Sequence, residues 1–231
     1  MIGFIGAMDI EVDGLAAAIE GRETVRAGGL SFHKGRIGEC DVVVAMCGVG
    51  KVNAAACAAT MIAMFHPDEI VDIGVAGGLL KKDGMATGDI VVSTGVVQHD
   101  MDVSPLGYAP GLTPGDKSAV TAADERMGDR LADSAARCGT GKVFRGVIAS
   151  GDQFVSSRER SREIAEVFGA AATEMEGAAV GHVCAEFGVP FCVMRTISDC
   201  ADEEATVSYP EFCKAAAKDA IAIAKDYLAG A

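Results

Sequence analysis

Long apolar runs, a basic N-terminus and an excess of positive charge are all missing from this 231-residue chain. No uncharged apolar run reaches the roughly 18 residues that a membrane-spanning helix needs, so no membrane partner is expected. The opening stretch MIGFIGAMDIEV meets an acid at Asp9, which favours a first strand over a signal peptide. The formal net charge of -13 opposes binding to a phosphate backbone, so a nucleic acid polymer is not an expected partner.

Paired cysteines are missing as well. The eight cysteines are dispersed through apolar or alanine-rich segments and form no C-x-x-C pair. This pattern favours reduced, buried thiols in a cytoplasmic protein over a disulfide framework or a zinc site. His99, Asp100 and Asp102 lie close together, but no second ligand cluster accompanies them, so no metal is predicted.

The usual phosphate-binding signatures are also missing. No G-x-G-x-x-G occurs, because the position that the third glycine would take after Gly48 and Gly50 is Asn53. No G-x-x-x-x-G-K-[ST] occurs either. The chain therefore lacks the usual marks of dinucleotide and triphosphate binding, and no cofactor is predicted.

Short β-rich runs alternate with longer alanine-rich runs along the whole chain. The β-rich runs predict strands at 1–5, 41–46, 69–75, 89–97, 146–150 and 190–197. The alanine-rich runs predict helices at 52–65, 121–138, 157–168, 176–187 and 210–229. Nearly continuous apolar strands indicate a sheet that is covered on both faces. We therefore expect a single α/β domain over residues 1–231, a three-layer α/β/α sandwich with a central mixed sheet.

Glycine-bearing turns and acids follow several of these strands. The turns lie at 3–8, 47–52, 74–79 and 150–154, where glycines allow close approach to a ligand or simply form tight turns. Glu11, Glu174, Glu176 and Asp199 lie at or near the carboxyl ends of predicted strands. Each acid fits an ordinary position at a helix start. Together they predict carboxylates gathered at one edge of the sheet, which suits acid and base catalysis.

The order of these motifs resembles the 5′-methylthioadenosine/S-adenosylhomocysteine nucleosidases of the purine nucleoside phosphorylase/uridine phosphorylase superfamily. The resemblance covers nearly the whole chain, and each motif alone would be weak. The motifs are IGAMDIEV (5–12), GVGKVNAA (48–55), GVAGGL (74–79), GDIVVS (88–93), HDMDVSPLGY (99–108), SGDQFV (150–155), TEMEGAA (173–179) and RTISD (195–199).

This resemblance implies hydrolysis of the N-glycosidic bond of 5′-methylthioadenosine and S-adenosylhomocysteine, with 5′-deoxyadenosine as a further candidate substrate. Asp199 would then protonate adenine N7, and Ser198 would orient Asp199. Glu11 would activate the water, with Arg195 near the water and the ribose-binding acids. Glu176 would bind the ribose hydroxyls, because a carboxylate accepts two hydrogen bonds well.

The resemblance also assigns residues that bind the rest of the nucleoside. Met175 would pack on the ribose, and Glu174 would support the same edge of the ribose. Phe154 would stack on adenine, and the backbone of Val155 would read the edge of the base. The sugar and the 5′ substituent would contact Met8, Val49 and Tyr209. In a homodimer, the 99–117 loop would reach the neighbouring site through Val103, Leu106 and Tyr108.

Two residues depart from the family pattern, and two other functions stay open. Val75 stands where the family usually has serine, and Tyr209 where phenylalanine is common. A phosphorylase on the same fold is the nearer alternative, but related phosphorylases carry an arginine where this chain has Asp72. A nucleoside-binding protein without catalysis is the other alternative, although both Glu11 and Asp199 are present.

Overall fold

The computed structural model describes residues 1–80, 83–199 and 205–230, with the backbone alone for residues 205–212. This part of the chain forms ten strands and six α-helices. The strands are β1 (Ile2–Gly6), β2 (Glu20–Ala27), β3 (Leu30–Ile37), β4 (Cys40–Met46), β5 (Glu69–Gly78), β6 (Ile90–Gln98), β7 (Val120–Ala122), β8 (Val143–Ser150), β9 (Ala170–Glu174) and β10 (Phe191–Asp199). The helices are α1 (Asp9–Ala16), α2 (Lys51–Phe65), α3 (Glu125–Cys138), α4 (Arg158–Phe168), α5 (Gly177–Phe187) and α6 (Ala205–Ala229).

The strands form one mixed sheet, as predicted. β4, β1, β5 and β10 run parallel to one another, and so do β6, β8 and β9. The two groups meet through the antiparallel pairs β10–β6 and β5–β9. Strands β5, β10, β6, β8 and β9 therefore close into a ring, and β1, β4, β3 and β2 extend from it. The sequence patterns did not predict this closure.

Helices cover both faces of the sheet, which confirms the three-layer arrangement. One apolar layer joins the sheet to α2 and α5, and the other joins it to α1, α3 and α6. Alternate residues of one strand serve the two layers, since Val43 packs in the first while Val42 and Val44 pack in the second. All five residues of β1 are buried for the same reason.

Five elements were not predicted from the sequence. In the β2–β3 hairpin, β2 is polar and mostly exposed and β3 is mostly half-buried, so neither shows a clear apolar alternation. β9 consists mostly of alanine, which favours helices, but its pairing with β8 and β5 makes it a strand. α1 is short, and it carries Glu11 in its first turn.

The helix predicted at 121–138 was wrong at its start. Residues Val120–Ala122 form β7, the fifth unpredicted element, which pairs with β6. α3 begins only at Glu125, because the Asp124 side chain accepts a hydrogen bond of 2.9 Å from the Met127 N–H and caps the helix there.

Residues 104–117, within the 99–117 loop, lie outside the strands and α-helices and contain one 3₁₀ turn at Ser104–Leu106. Helices long and apolar enough to cross a bilayer do not occur among the described residues. The single domain over residues 1–231 stays a prediction.

Candidate active site

A cleft with about 560 Å³ of empty space opens at the carboxyl ends of β1, β5, β8, β9 and β10. Four acidic side chains line it, and among the described residues no lysine or arginine does. The remaining lining is apolar or small, apart from Gln153, Thr173 and Ser198. Ten predicted site residues meet here: Met8, Glu11, Val49, Phe154, Val155, Glu174, Met175, Glu176, Ser198 and Asp199.

Glu11 is held by backbone donors at the first turn of α1. The N–H groups of Ala7 and Met8 donate to its Oε2 at 2.8 and 2.9 Å, and the Val75 N–H donates to Oε1 at 3.1 Å. Burial raises the pKa of Glu11, while the positive charge of Arg195 and these three donors lower it in part. The result is a fixed carboxylate that is more basic than an exposed one.

The close approach of Glu11 to the sheet depends on a glycine. A Cβ added to Gly74 would lie 2.8 Å from Glu11 Oε1 and 3.5 Å from Arg195 Cζ. Both groups therefore lie directly over the backbone of β5, at a position where any side chain would collide with Glu11. This contact gives the first glycine of GVAGGL a specific role.

Arg195 lies beneath the cleft and does not line it. Its Nη2 donates to Asp72 Oδ2 and to Glu174 Oε2, both at 2.6 Å, and all three side chains are buried. Burial disfavours its charged form, but Asp72 and Glu174 outweigh burial and raise the pKa of Arg195. The arginine therefore stays positively charged, and both hydrogens of Nη2 are engaged.

Glu174 is engaged by the protein through both of its oxygens. Ser150 Oγ donates to Oε1, and the N–H groups of Glu176 and Gly177 donate to Oε2 at 3.1 and 2.8 Å. With Arg195 also on Oε2, the carboxylate joins β8, β10 and the start of α5. Glu174 was predicted to support the ribose edge, and these contacts make it a structural anchor beside the cleft.

Glu176 has fewer protein partners than Glu174. The Gly50 N–H at the start of α2 donates to its Oε1 at 2.7 Å. Gly50 has a φ of +99°, which a residue with a side chain rarely adopts and which suits this donor at the helix start. Burial and then the nearby Glu174 raise the pKa of Glu176 to about 8.

Asp199 ends β10, and its buried side chain lines the cleft. Ser198 Oγ lies 2.8 Å from Asp199 Oδ2 and donates to it. The hydroxyl is also 3.4 Å from the Ala76 carbonyl of β5. The resemblance predicted that Ser198 orients Asp199, and this geometry agrees with that prediction.

The 150–155 loop carries Phe154 and Val155 at the mouth of the cleft, where the Phe154 side chain is 49% exposed. A polar network fixes the base of this loop. Asp152 Oδ1 accepts from the Lys51 N–H at 2.8 Å, and Asp100 accepts from the Asp152 N–H at 2.9 Å and from Lys51 Nζ at 2.6 Å. The loop is thereby tied to the start of α2 and to the segment after β6.

Besides Arg195, four predicted residues do not line this cleft within the described part of the chain. Val103, Leu106 and Tyr108 lie on the 99–117 loop, where Leu106 and Tyr108 are exposed. They do not line the cleft of their own chain, so their assignment to a neighbouring site stays a prediction. Tyr209 lies on α6, and its side chain is outside the described residues.

Several lining residues were not predicted from the sequence. Ala7, Ala76, Gly77, Gln153 and Thr173 all line the cleft. Ala7, Gln153 and Thr173 each adjoin a predicted site residue in the sequence, whereas Ala76 and Gly77 do not. Val75 was noted only as a departure from the family pattern, and it lines the cleft with its side chain against Met8 and Ile10. The glycine-bearing segments at 3–8, 74–79 and 150–154 were the available signal for five of these six, and only Thr173 lies outside them.

The whole chain is similar to proteins of one family. Residues 1–229 match the model of the phosphorylase superfamily. A 5′-methylthioadenosine/S-adenosylhomocysteine nucleosidase of an Exiguobacterium species is 41% identical over 216 residues, which cover 93% of this chain and 91% of that protein.

Solved structures agree with this match. The nucleosidase of the same name from Neisseria meningitidis, in complex with methylthio-immucillin-A, has a TM-score of 0.94 and 36% identity and covers 100% of this chain and 99% of its own. A futalosine hydrolase of Helicobacter pylori has a TM-score of 0.93 and 35% identity and covers 100% and 97%. This chain therefore belongs to the phosphorylase superfamily and, within it, to the family of the 5′-methylthioadenosine/S-adenosylhomocysteine nucleosidases.

Proposed function

We propose that this protein hydrolyses the N-glycosidic bond of 5′-methylthioadenosine and S-adenosylhomocysteine, releasing adenine and the 5′-substituted ribose. One observation carries the proposal: four carboxyl groups and, among the described residues, no basic side chain line the cleft. Cleavage of an N-glycosidic bond builds positive charge on the sugar, which negative groups stabilise. The matching names of similar proteins support the choice of substrates.

Asp199 acts on the departing base. In the protonated form, Asp199 gives its proton to N7 of adenine as the bond between C1′ and N9 breaks, so that the base leaves as a neutral molecule. Ser198 holds one carboxyl oxygen, which fixes the plane of the group. Phe154 covers the base by stacking, and its partial exposure at the mouth suits a side chain that is buried only by substrate.

Glu176 acts on the ribose. One of its oxygens accepts from Gly50, and its carboxyl group lines the cleft where it can bind the two ribose hydroxyls. Burial and then the nearby Glu174 raise its pKa, and a positive charge on the sugar favours its ionised form. The interaction is therefore stronger in the transition state than with bound substrate, which is what accelerates the reaction.

Glu11 activates the attacking water. The carboxylate takes one proton of the water as the water oxygen bonds to C1′ of the sugar. Its three backbone donors prevent it from rotating, so the proton acceptor stays aimed at the cleft. Burial keeps its pKa above that of an exposed glutamate, which makes it the stronger base.

Water is favoured over phosphate as the second substrate. A phosphorylase must hold a dianion with arginine or lysine side chains. Arg195 lies beneath the cleft and is already shared by Asp72 and Glu174. Asp72, at the position where related phosphorylases carry arginine, adds negative charge instead.

The experiment is adenine release from 5′-methylthioadenosine in phosphate-free buffer, followed by chromatography of both products. We expect free 5-methylthioribose at a rate that added phosphate does not change. Strict dependence on phosphate, with a sugar 1-phosphate as product, would assign the chain to the phosphorylases instead.

The binding-protein alternative is tested with Asp199→Asn. We expect this variant to bind 5′-methylthioadenosine but to release adenine about 10²- to 10⁴-fold more slowly than the parent, the usual contribution of a general acid. Equal inertness of parent and variant would favour a nucleoside-binding protein. A panel with S-adenosylhomocysteine, 5′-deoxyadenosine and aminodeoxyfutalosine then ranks the 5′ substituents by kcat/KM.

The proposal includes a cytoplasmic homodimer in which the 99–117 loop of one subunit completes the site of the other. Leu106 is exposed and lines no part of its own chain's described cleft, which supports a role across an interface. Leu106→Asp should shift the protein towards a monomer in sedimentation and raise KM for nucleosides with apolar 5′ groups. An unchanged dimer with unchanged KM would contradict this part.

A further inference from the structure

Asp72 is a buried acid below the cleft. It lies in the middle of β5, and its neighbours Val71 and Ile73 pack on the opposite face, towards α1, α3 and α6. Asp72 therefore faces the layer under α2 and α5. Its exposure is 1%, and it does not line the cleft.

Asp72 has one ionic partner among the described residues. Its Oδ2 accepts from Arg195 Nη2 at 2.6 Å, while its Oδ1 has no hydrogen-bond partner in that part of the chain. Other charged and titratable groups face Asp72 from every element packed around it. The charged groups are Arg195 on β10, Glu174 on β9, Glu11 on α1 and Glu176 at the start of α5. The thiols are those of Cys47, of Cys57 on α2 and of Cys184 on α5.

The contacts of Arg195 show what Asp72 does in this group. Its Nη2 donates to both Asp72 and Glu174, and its Nη1 donates to the Met194 carbonyl at 3.1 Å. Removal of Asp72 would take away one of the two carboxylates that hold Nη2 of the guanidinium, next to Gly74 and the Glu11 carboxylate. Its charge would also no longer be offset on the side away from the cleft.

We propose that Asp72 is a positioning residue for the hydrolytic reaction, which acts through Arg195 by fixing the guanidinium beneath the cleft and offsetting its charge towards Glu11 and Glu176. The inference rests on the proposed function and concerns the same site. A purely structural ion pair is the alternative, because breaking any buried pair destabilises a protein.

Two variants separate position from charge. Asp72→Asn keeps an oxygen that accepts from Arg195 but removes the negative charge. Asp72→Ala removes both. The control is Glu69→Gln on the same strand, which weakens an ion pair with Arg130 and a hydrogen bond from Tyr227 at a distance from the cleft.

The measurements are kcat and KM across pH for adenine release, with thermal unfolding of each protein. In Asp72→Asn, we expect the acid limb of the kcat/KM profile to move to lower pH by about half a unit to one unit, because a negative charge near Glu176 and Glu11 is lost. The plateau kcat should stay within about threefold of the parent, since the anchor is retained. In Asp72→Ala, we expect the same shift with kcat lowered by about tenfold or more and KM changed much less, because a misplaced group costs turnover.

The control should lose stability without either kinetic change. An Asp72→Asn profile that coincides with the parent's would overturn the inference, and this holds even if Asp72→Ala fails to fold. Parent protein that releases no adenine would instead contradict the proposed function and this inference with it. Active parent protein with an unshifted Asp72→Asn profile contradicts the inference alone.

Discussion

The backbone N–H of Glu176 donates to the carboxylate of Glu174 at 3.1 Å. The two acids are separated by one residue, yet they differ in the protein groups that hold their carboxylates. Glu174 turns back to cap the start of α5, and it also binds Arg195 and Ser150. Glu176 lines the cleft with a single backbone donor from Gly50. The TEMEG motif therefore joins an acid that is held by several protein donors to one that we propose binds the substrate.

Substitution of each acid by glutamine should separate these roles. We expect Glu176→Gln to lower kcat far more than Glu174→Gln, because glutamine cannot become the carboxylate that stabilises the positive sugar. Glu174→Gln should instead lower the free energy of unfolding by about 3 kcal/mol, since it breaks a buried ion pair. Adenine release and chemical denaturation measure the two effects, and equal, mild losses of turnover would show that the pair is divided wrongly.

Substitution of Gly74 by alanine should impair catalysis through Glu11. The added Cβ would lie 2.8 Å from Glu11 Oε1, closer than real contacts allow, so the carboxylate must move. Because the position of a catalytic base controls turnover, we expect a fall in kcat of about tenfold to a hundredfold. Gly29→Ala is the matched control, since its Cβ would meet nothing within 4 Å. Equal kcat in the two variants would contradict the proposed role of Glu11.

The pKa of Glu176 predicts how stability depends on pH. Its folded value of about 8 exceeds its ordinary value of 4.5, so the folded protein retains a proton that the unfolded chain has lost. This contribution to stability is complete below 4.5 and is lost as the pH rises towards 8. The free energy of unfolding should therefore fall between these values, and it should fall less steeply in Glu176→Gln. Part of the slope should remain, because the pKa values of Glu11 and Asp72 are raised as well. Parallel curves for the two proteins would contradict the raised pKa.

Phe154→Ala should weaken substrate binding without unfolding the protein. Loss of base stacking costs about 1–3 kcal/mol, which corresponds to a rise in KM of roughly tenfold or more. The side chain is 49% exposed, so its removal should change the free energy of unfolding little. Val167→Ala on α4 removes an equally exposed apolar side chain away from the cleft and serves as the control. A Phe154→Ala variant with parental KM would exclude stacking on the base.

The acids at the strand ends were predictable because parallel strands deliver their carboxyl ends to one edge of a sheet. Glu11, Glu176 and Asp199 were therefore found from their places after apolar runs, and they do line one cleft. β2, β3 and β9 escaped prediction because exposed polar residues or alanines carry no strand pattern. The buried pair of Asp72 and Arg195 escaped it too, since 123 positions separate the two residues.

The sequence by itself determined which residue types stand at the strand ends, the layered α/β class, and a charge balance that opposes phosphate. Only the tertiary structure decided that Glu174 is engaged by Arg195 and Ser150, while Glu176 lines the cleft with a backbone donor from Gly50. The physical reason is that a buried carboxylate takes its role from the donors around it. Those donors come from distant segments: the Gly50 N–H reaches Glu176 across 126 positions, and the Arg195 guanidinium reaches both Asp72 and Glu174.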